Sequence, residues 1–79
     1  MRFLVVIEEG LTSFGAYVPD LPGCIAVADT REELIVLIQE AVEFHLEGMA
    51  LDNQTIPRPT SSAEFVDVVT ASAIKSSTA

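Results

Sequence analysis

Tyr17-Val18-Pro19-Asp20-Leu21-Pro22-Gly23-Cys24, with Thr30-Arg31-Glu32-Glu33 six positions further on, constrains this chain more than any other stretch. Pro19 has no N–H to donate to a ladder, so a strand arriving through Tyr17 and Val18 must stop there. Pro22 fixes φ near −65° and Gly23 tolerates positive φ, the pair that a type II turn requires at its centre. Thr30 can cap a helix while Glu33 reaches back to its amide, which is the three-residue spacing of a capping box. Within some seventeen residues the chain ends a strand, reverses and launches a helix.

The flanking patterns fill in the rest. Phe3 to Ile7 is apolar and rich in β-branched residues, as in a strand buried on both faces, and Glu8-Glu9-Gly10 closes it. Leu11-Thr12-Ser13 then makes a short hairpin connection. Phe14 to Val18 alternates, with Phe14, Ala16 and Val18 on one face and Gly15 and Tyr17 on the other. Cys24 to Ala28 returns as a third strand, and connections this short make all three antiparallel. From Thr30, the residues Leu34, Leu37, Ile38, Ala41, Val42, His45 and Met49 recur at threes and fours, with Glu40, Glu43 and Glu47 on the other side. That predicts a helix of about five turns leaving through Asp52-Asn53. Gln54 to Thr60 reads as a proline-stiffened extended crossover. Glu64 to Val69 reads as a last strand, with Phe65 and Val68 directed to the core. The expected fold is α+β, a β-β-β-α-β succession in which one long helix covers one face of an antiparallel sheet. Residues 1–70 form a single domain and the Ser-Thr-Ala-rich residues 71–79 a disordered tail.

Charge narrows the partners. Four Lys and Arg against twelve Asp and Glu leave a formal charge of −8. Such a surface repels phosphate backbones and anionic membranes, so no direct nucleic-acid or membrane binding is expected, and a basic protein is the favoured partner. No apolar run reaches the 18–20 residues of a membrane span, and Glu8-Glu9 interrupts the only stretch that could pass for a signal sequence. Cys24 is the single cysteine, which excludes an intramolecular disulfide and points to a reducing, cytoplasmic setting.

Few residues carry chemistry. His45 is the single histidine, on the helix flank, with nothing in the sequence to act as nucleophile or orienting group. Cys24 has no neighbour that would lower its pKa and reads as a small buried hydrophobe. No catalytic residue, metal site or cofactor is expected. Glu40, Glu43 and Glu47 lie at i, i+3 and i+7 without lysines to pair them, either a solvated face or an acidic patch for a basic partner. The apolar residues on both faces of Phe3–Ile7 leave sheet surface that one helix cannot cover, and a homodimer is the economical way to bury it.

The segments Ala16-Tyr17-Val18-Pro19-Asp20-Leu21-Pro22-Gly23-Cys24 and Ala28-Asp29-Thr30-Arg31-Glu32-Glu33-Leu34, a long amphipathic helix and Ile56-Pro57-Arg58-Pro59 together resemble the HicB antitoxin family, over roughly Phe3 to Val69. The resemblance implies a partial RNase H-like β-β-β-α-β unit. It also implies a partner, a small basic HicA-like mRNA interferase toxin that the antitoxin neutralises by occluding its catalytic surface. On this reading the acidic residues Asp20, Asp29, Glu32, Glu40, Glu43 and Glu47 are the candidates for partner binding. Many members add a C-terminal DNA-binding domain. This sequence ends before one could begin, so operator binding is not carried over. Two other readings stand beside this one: a solitary oligomeric structural or adaptor domain without a toxin, and a weak metal-dependent nuclease. The nuclease would need Asp20, Asp29 and Glu32 to converge on a divalent ion, whereas turn hydrogen bonding accounts for Asp20 and helix-start electrostatics for the other two.

Overall fold

The sheet begins at a two-residue hairpin. In the computed structural model, which describes residues 1–70, strands β1 (Val6–Glu9) and β2 (Phe14–Tyr17) pair antiparallel from Val6 opposite Tyr17 to Glu9 opposite Phe14. Gly10 N–H donates to the Ser13 carbonyl at 2.8 Å, leaving Leu11 and Thr12 as the loop. Strand β3 (Ile25–Ala28) pairs with the other edge of β2, from Tyr17 opposite Ile25 to Phe14 opposite Ala28, giving the order β1-β2-β3. Helix α1 (Arg31–Leu51) follows directly. The α+β expectation of an antiparallel sheet followed by one long helix is met.

The ladder of β1 lies later in the sequence than the apolar run suggests. Glu8 and Glu9 pair with Gly15 and Phe14 because the ladder continues to the tight turn. Phe3, Leu4 and Val5 fall outside it, because the ladder ends with Val6 opposite Tyr17, where β2 gives way to the turns that begin at Val18.

That bend consists of two turns in succession. Leu21 N–H donates to the Val18 carbonyl and Cys24 N–H to the Leu21 carbonyl, both at 3.0 Å. Gly23, at φ 87°, supplies the left-handed residue of the expected type II turn. Between the turns, Leu21 is fully buried and plugs the end of the core.

The register places Ile7, Ala16 and Ala26 abreast on one face, with Phe14 and Ala28 beside them. α1 lies on this face across β3 and β2, leaving β1 to one side. Small alanines at the crossing let the helix approach closely, so Leu34 and Ile38 are buried against Ala16, Val18, Leu21, Cys24 and Ala28. Glu33 N–H donates to Thr30 Oγ1 at 3.1 Å, which makes Thr30 the N-cap as expected. At the far end Asp52 caps the helix and Asn53 turns the chain at φ 58°, the predicted exit. The buried stripe differs in detail: Leu37 is 42% exposed, whereas Leu46, absent from the expected set, packs on the core with Ala41, Val42 and Met49.

The expected last strand is a correction. Residues 54–70 form no regular element, and Phe65 and Val68 are 100% and 74% exposed rather than in the core. Their alternation suits a strand, but the segment has no ladder partner among the described residues. The Cα radius of gyration is correspondingly 16.2 Å, against about 12 Å for a compact chain of this length. The tail expected over 71–79 lies outside the described residues.

Candidate partner-binding surface

At about 100° per residue, Glu32, Glu40, Glu43 and Glu47 occupy roughly 80° of the helix circumference, opposite the buried Leu34 and Ile38. All four are exposed. Between Arg31, the first helical residue, and Arg58 the sequence holds no Lys or Arg, and Arg31 falls outside this sector, so the face carries no cation of its own. The face is not purely acidic, because Val36 lies within the same sector and is half-exposed. At its N-terminal end a shallow groove runs between β3 and the helix, lined by Val27, Ala28, Val36 and Leu37 with Asp29 and Glu33 at its rim. Five of the six predicted contact residues, Asp29, Glu32, Glu40, Glu43 and Glu47, thus lie on α1 or beside its start. Glu33, assigned to capping in the sequence, joins them at the groove.

Asp20 has a different environment. Its Oδ2 accepts the backbone N–H groups of Thr60 (3.0 Å) and Ser61 (2.9 Å), and its Oδ1 accepts their hydroxyls at 3.3 and 2.8 Å. Four donors meet the acceptor capacity of one carboxylate. The hydrogen bonds from Ser61, with smaller ones from Thr60, hold the Asp20 carboxyl below the usual carboxylate range despite some opposing desolvation. The sequence accounts for Asp20 by bonding within its own turn; in the structure its partners are forty residues away. Asp20 fastens the crossover to the turn, and no pattern local to either segment announces the pairing.

Cys24 is buried, and desolvation pushes its thiol pKa up, away from the range of a reactive thiolate. His45 is half-buried on the helix flank. Among the described residues no three His, Cys, Asp or Glu side chains come close enough together to hold a metal ion, so Asp20, Asp29 and Glu32 do not converge. The sheet face turned away from α1 carries Val6, Tyr17, Ile25 and Val27, and Ile25 and Val27 are 67% and 64% exposed. No helix of the described residues is long and apolar enough to cross a membrane.

Comparison with known proteins adds the family context. The family model described as the HicB_like antitoxin of bacterial toxin-antitoxin systems matches residues 3–73. Antitoxin HicB 2 of Photorhabdus laumondii is 33% identical over 76 residues, 95% of this chain and 55% of its own length. An uncharacterized 14.9 kDa protein of Haemophilus phage HP1 is 31% identical over 67 residues, 85% of this chain and 50% of its own. The chain therefore spans about half the length of these two relatives. A UPF0150 protein of Thermoplasma acidophilum is 34% identical over 71 residues, 86% of this chain and 97% of its own. No solved structure matches.

Proposed function

The chain belongs to the HicB-like antitoxin family, and from that premise we propose that it binds a small basic RNA-cleaving toxin of the HicA type and blocks the toxin's active surface. The observation that carries this reading is the outer face of α1, where Glu32, Glu40, Glu43 and Glu47 stand together with no lysine or arginine from residue 32 to residue 57. A protein that cleaves RNA must present cations to phosphates. A surface of opposite sign competes for those cations and steers the two proteins together, raising association rates by about 10–1,000-fold at low salt. Val36 and the groove beside it add the apolar contact that a charged face alone lacks. Asp29 and Glu33 border the same contact. Asp20, occupied within the chain, serves it only by holding the crossover in place.

In this reading the protein acts by occlusion, without chemistry of its own, as an acidic cytoplasmic homodimer that binds neither nucleic acid nor membranes directly. The exposed Tyr17, Ile25 and Val27 on the free sheet face support dimerisation.

Co-expression with the adjacent reading frame, scored by growth rescue and co-purification, tests the assignment. Rescue by the natural chain is expected. A combined Glu40→Lys, Glu43→Lys, Glu47→Lys variant should slow association at least ten-fold and remove its salt dependence. A natural chain that neither rescues growth nor retains the neighbouring product would refute the proposal.

A further inference from the structure

Two segments with strand sequences end without strand partners. Phe3-Leu4-Val5 continues β1 beyond the end of its ladder, apolar and only half-buried. Glu64 to Val69 forms no regular element and every side chain is exposed, Phe65 and Val69 almost completely. Residues 61–63 run beside Arg2–Val5, with a cleft between them. Because α1 covers β3 and β2 but not β1, a second, apolar groove remains between Phe3 and Val5 on one side and Ile35, Val42 and Leu46 of the helix on the other. The groove is what a fourth strand beside β1 would fill, and the chain carries one such strand that does not fill it.

We infer that residues 64–69 of each protomer add to the open Phe3–Ile7 edge of a second copy, forming a symmetric strand-exchanged dimer. The occupant is written in this chain: Phe65, Val66, Val68 and Val69 supply apolar side chains, and their backbone supplies the hydrogen-bonding groups that the edge lacks. A copy of the same chain is favoured over a self-closed monomer because residues 61–63 line a cleft with Arg2–Val5, whereas residues 64–69 are exposed and pair with no strand of their own chain. Residues 61–63 bring the arm to the β1 edge of its own protomer, so a two-fold axis near them lets each β1 edge receive the strand of the other copy. Charge agrees: Arg2 lines both grooves, and the arriving strand brings Glu64 and Asp67. This deepens the homodimer reading by placing its strand pairing at the β1 edge, apart from the free sheet face of Tyr17, Ile25 and Val27, and is independent of any toxin.

The full-length protein, without toxin, is examined by size-exclusion chromatography with light scattering at micromolar concentration. The natural chain should run at twice its 8.5 kDa mass. Val68→Pro removes a ladder donor and breaks extended pairing. It should weaken dimerisation at least ten-fold with an unchanged far-UV CD spectrum, because Val68 is exposed in the single chain. A bismaleimide should join a Val5→Cys chain to a separate Val66→Cys chain. An unchanged dimer in Val68→Pro, or a cross-link found only within single chains carrying both cysteines, overturns strand exchange while leaving a dimer of another kind. A monomeric natural chain overturns both, and neither result depends on the toxin test.

Discussion

Residues 3–51 and residues 54–70 are held by different kinds of contact. The first part closes on itself. Its strands pair through short connections, its helix is capped by the residue that precedes it, and Leu21, Leu34 and Ile38 fill a shared core. The second part contributes no buried residue, and among the described residues the hydrogen bonds it makes to side chains all go to one carboxylate, that of Asp20. Local pairing stabilises the first part within a single chain, whereas the second offers exposed apolar residues that a single chain does not use. The molecule is thus a packed scaffold carrying a tethered arm.

The core gives the largest effect by which this contrast can be broken. Leu34→Ala should destabilise by about 3 kcal/mol through lost burial and a residual cavity, lowering the Tm of a chain this small by about 15 °C. Val66→Ala, an equally apolar truncation in the arm, should shift stability by less than about 0.5 kcal/mol in dilute protein. Thermal melts across a concentration series would show it. If the two variants melted alike at the lowest concentration, the arm would be part of the monomer's core and the division into scaffold and arm would fail.

A smaller effect comes from the turn. Gly23 sits at φ 87° with open space around its missing Cβ, so the cost of a side chain there is backbone strain alone. Gly23→Ala should cost about 1 kcal/mol, measurable by urea denaturation with an unchanged m-value. A neutral result would mean that the turn is free to adopt another conformation. The pivot between β2 and β3 would then be less rigid than its two hydrogen-bonded turns imply.

The same contrast marks what the sequence could reveal. The hairpin, the Pro22-Gly23 turn, the Thr30 cap and the Asp52-Asn53 exit each depend on residues within four positions of one another, and each was legible. The face assignment of β2 followed from alternation alone. Leu37 is exposed and Leu46 packs on the core, a placement that depends on where the sheet lies beneath the helix, which periodicity does not register. The bonds from Thr60 and Ser61 to Asp20 join positions forty residues apart and have no local signature. The alternation from Glu64 to Val69 reads as a strand, but pattern does not say whether a ladder partner is present. Of the candidate surface, the helical glutamates were legible from spacing, and the groove at Asp29 and Glu33 appeared only once β3 was placed beside α1.

The smallest global effect, and the sharpest local one, belongs to Asp20. Its folded-state pKa is lowered, so its contribution is present at pH values above the unfolded carboxylate pKa and is lost as pH falls through the folded value. Because the carboxylate lies at the surface and holds only the arm, its protonation should release residues 60–70 without unfolding residues 3–51. Amide exchange of Thr60 and Ser61, compared with that of Ala16 and Ile38, would resolve the two. Asp20→Asn should reproduce at neutral pH what acid does to the natural chain: several-fold faster exchange at Thr60 and Ser61, no change at the core amides and a Tm within a degree or two. If core protection fell in step with the arm, Asp20 would be a support of the whole fold. Protection unchanged at both places would mean that the crossover is held by Ile56 and Pro57, its half-buried residues, rather than by the carboxylate. Because the arm leaves the scaffold directly after the Asp20 anchor, the same substitution also decides how firmly its direction is set, which determines whether a second copy meets an aimed strand or a loose one.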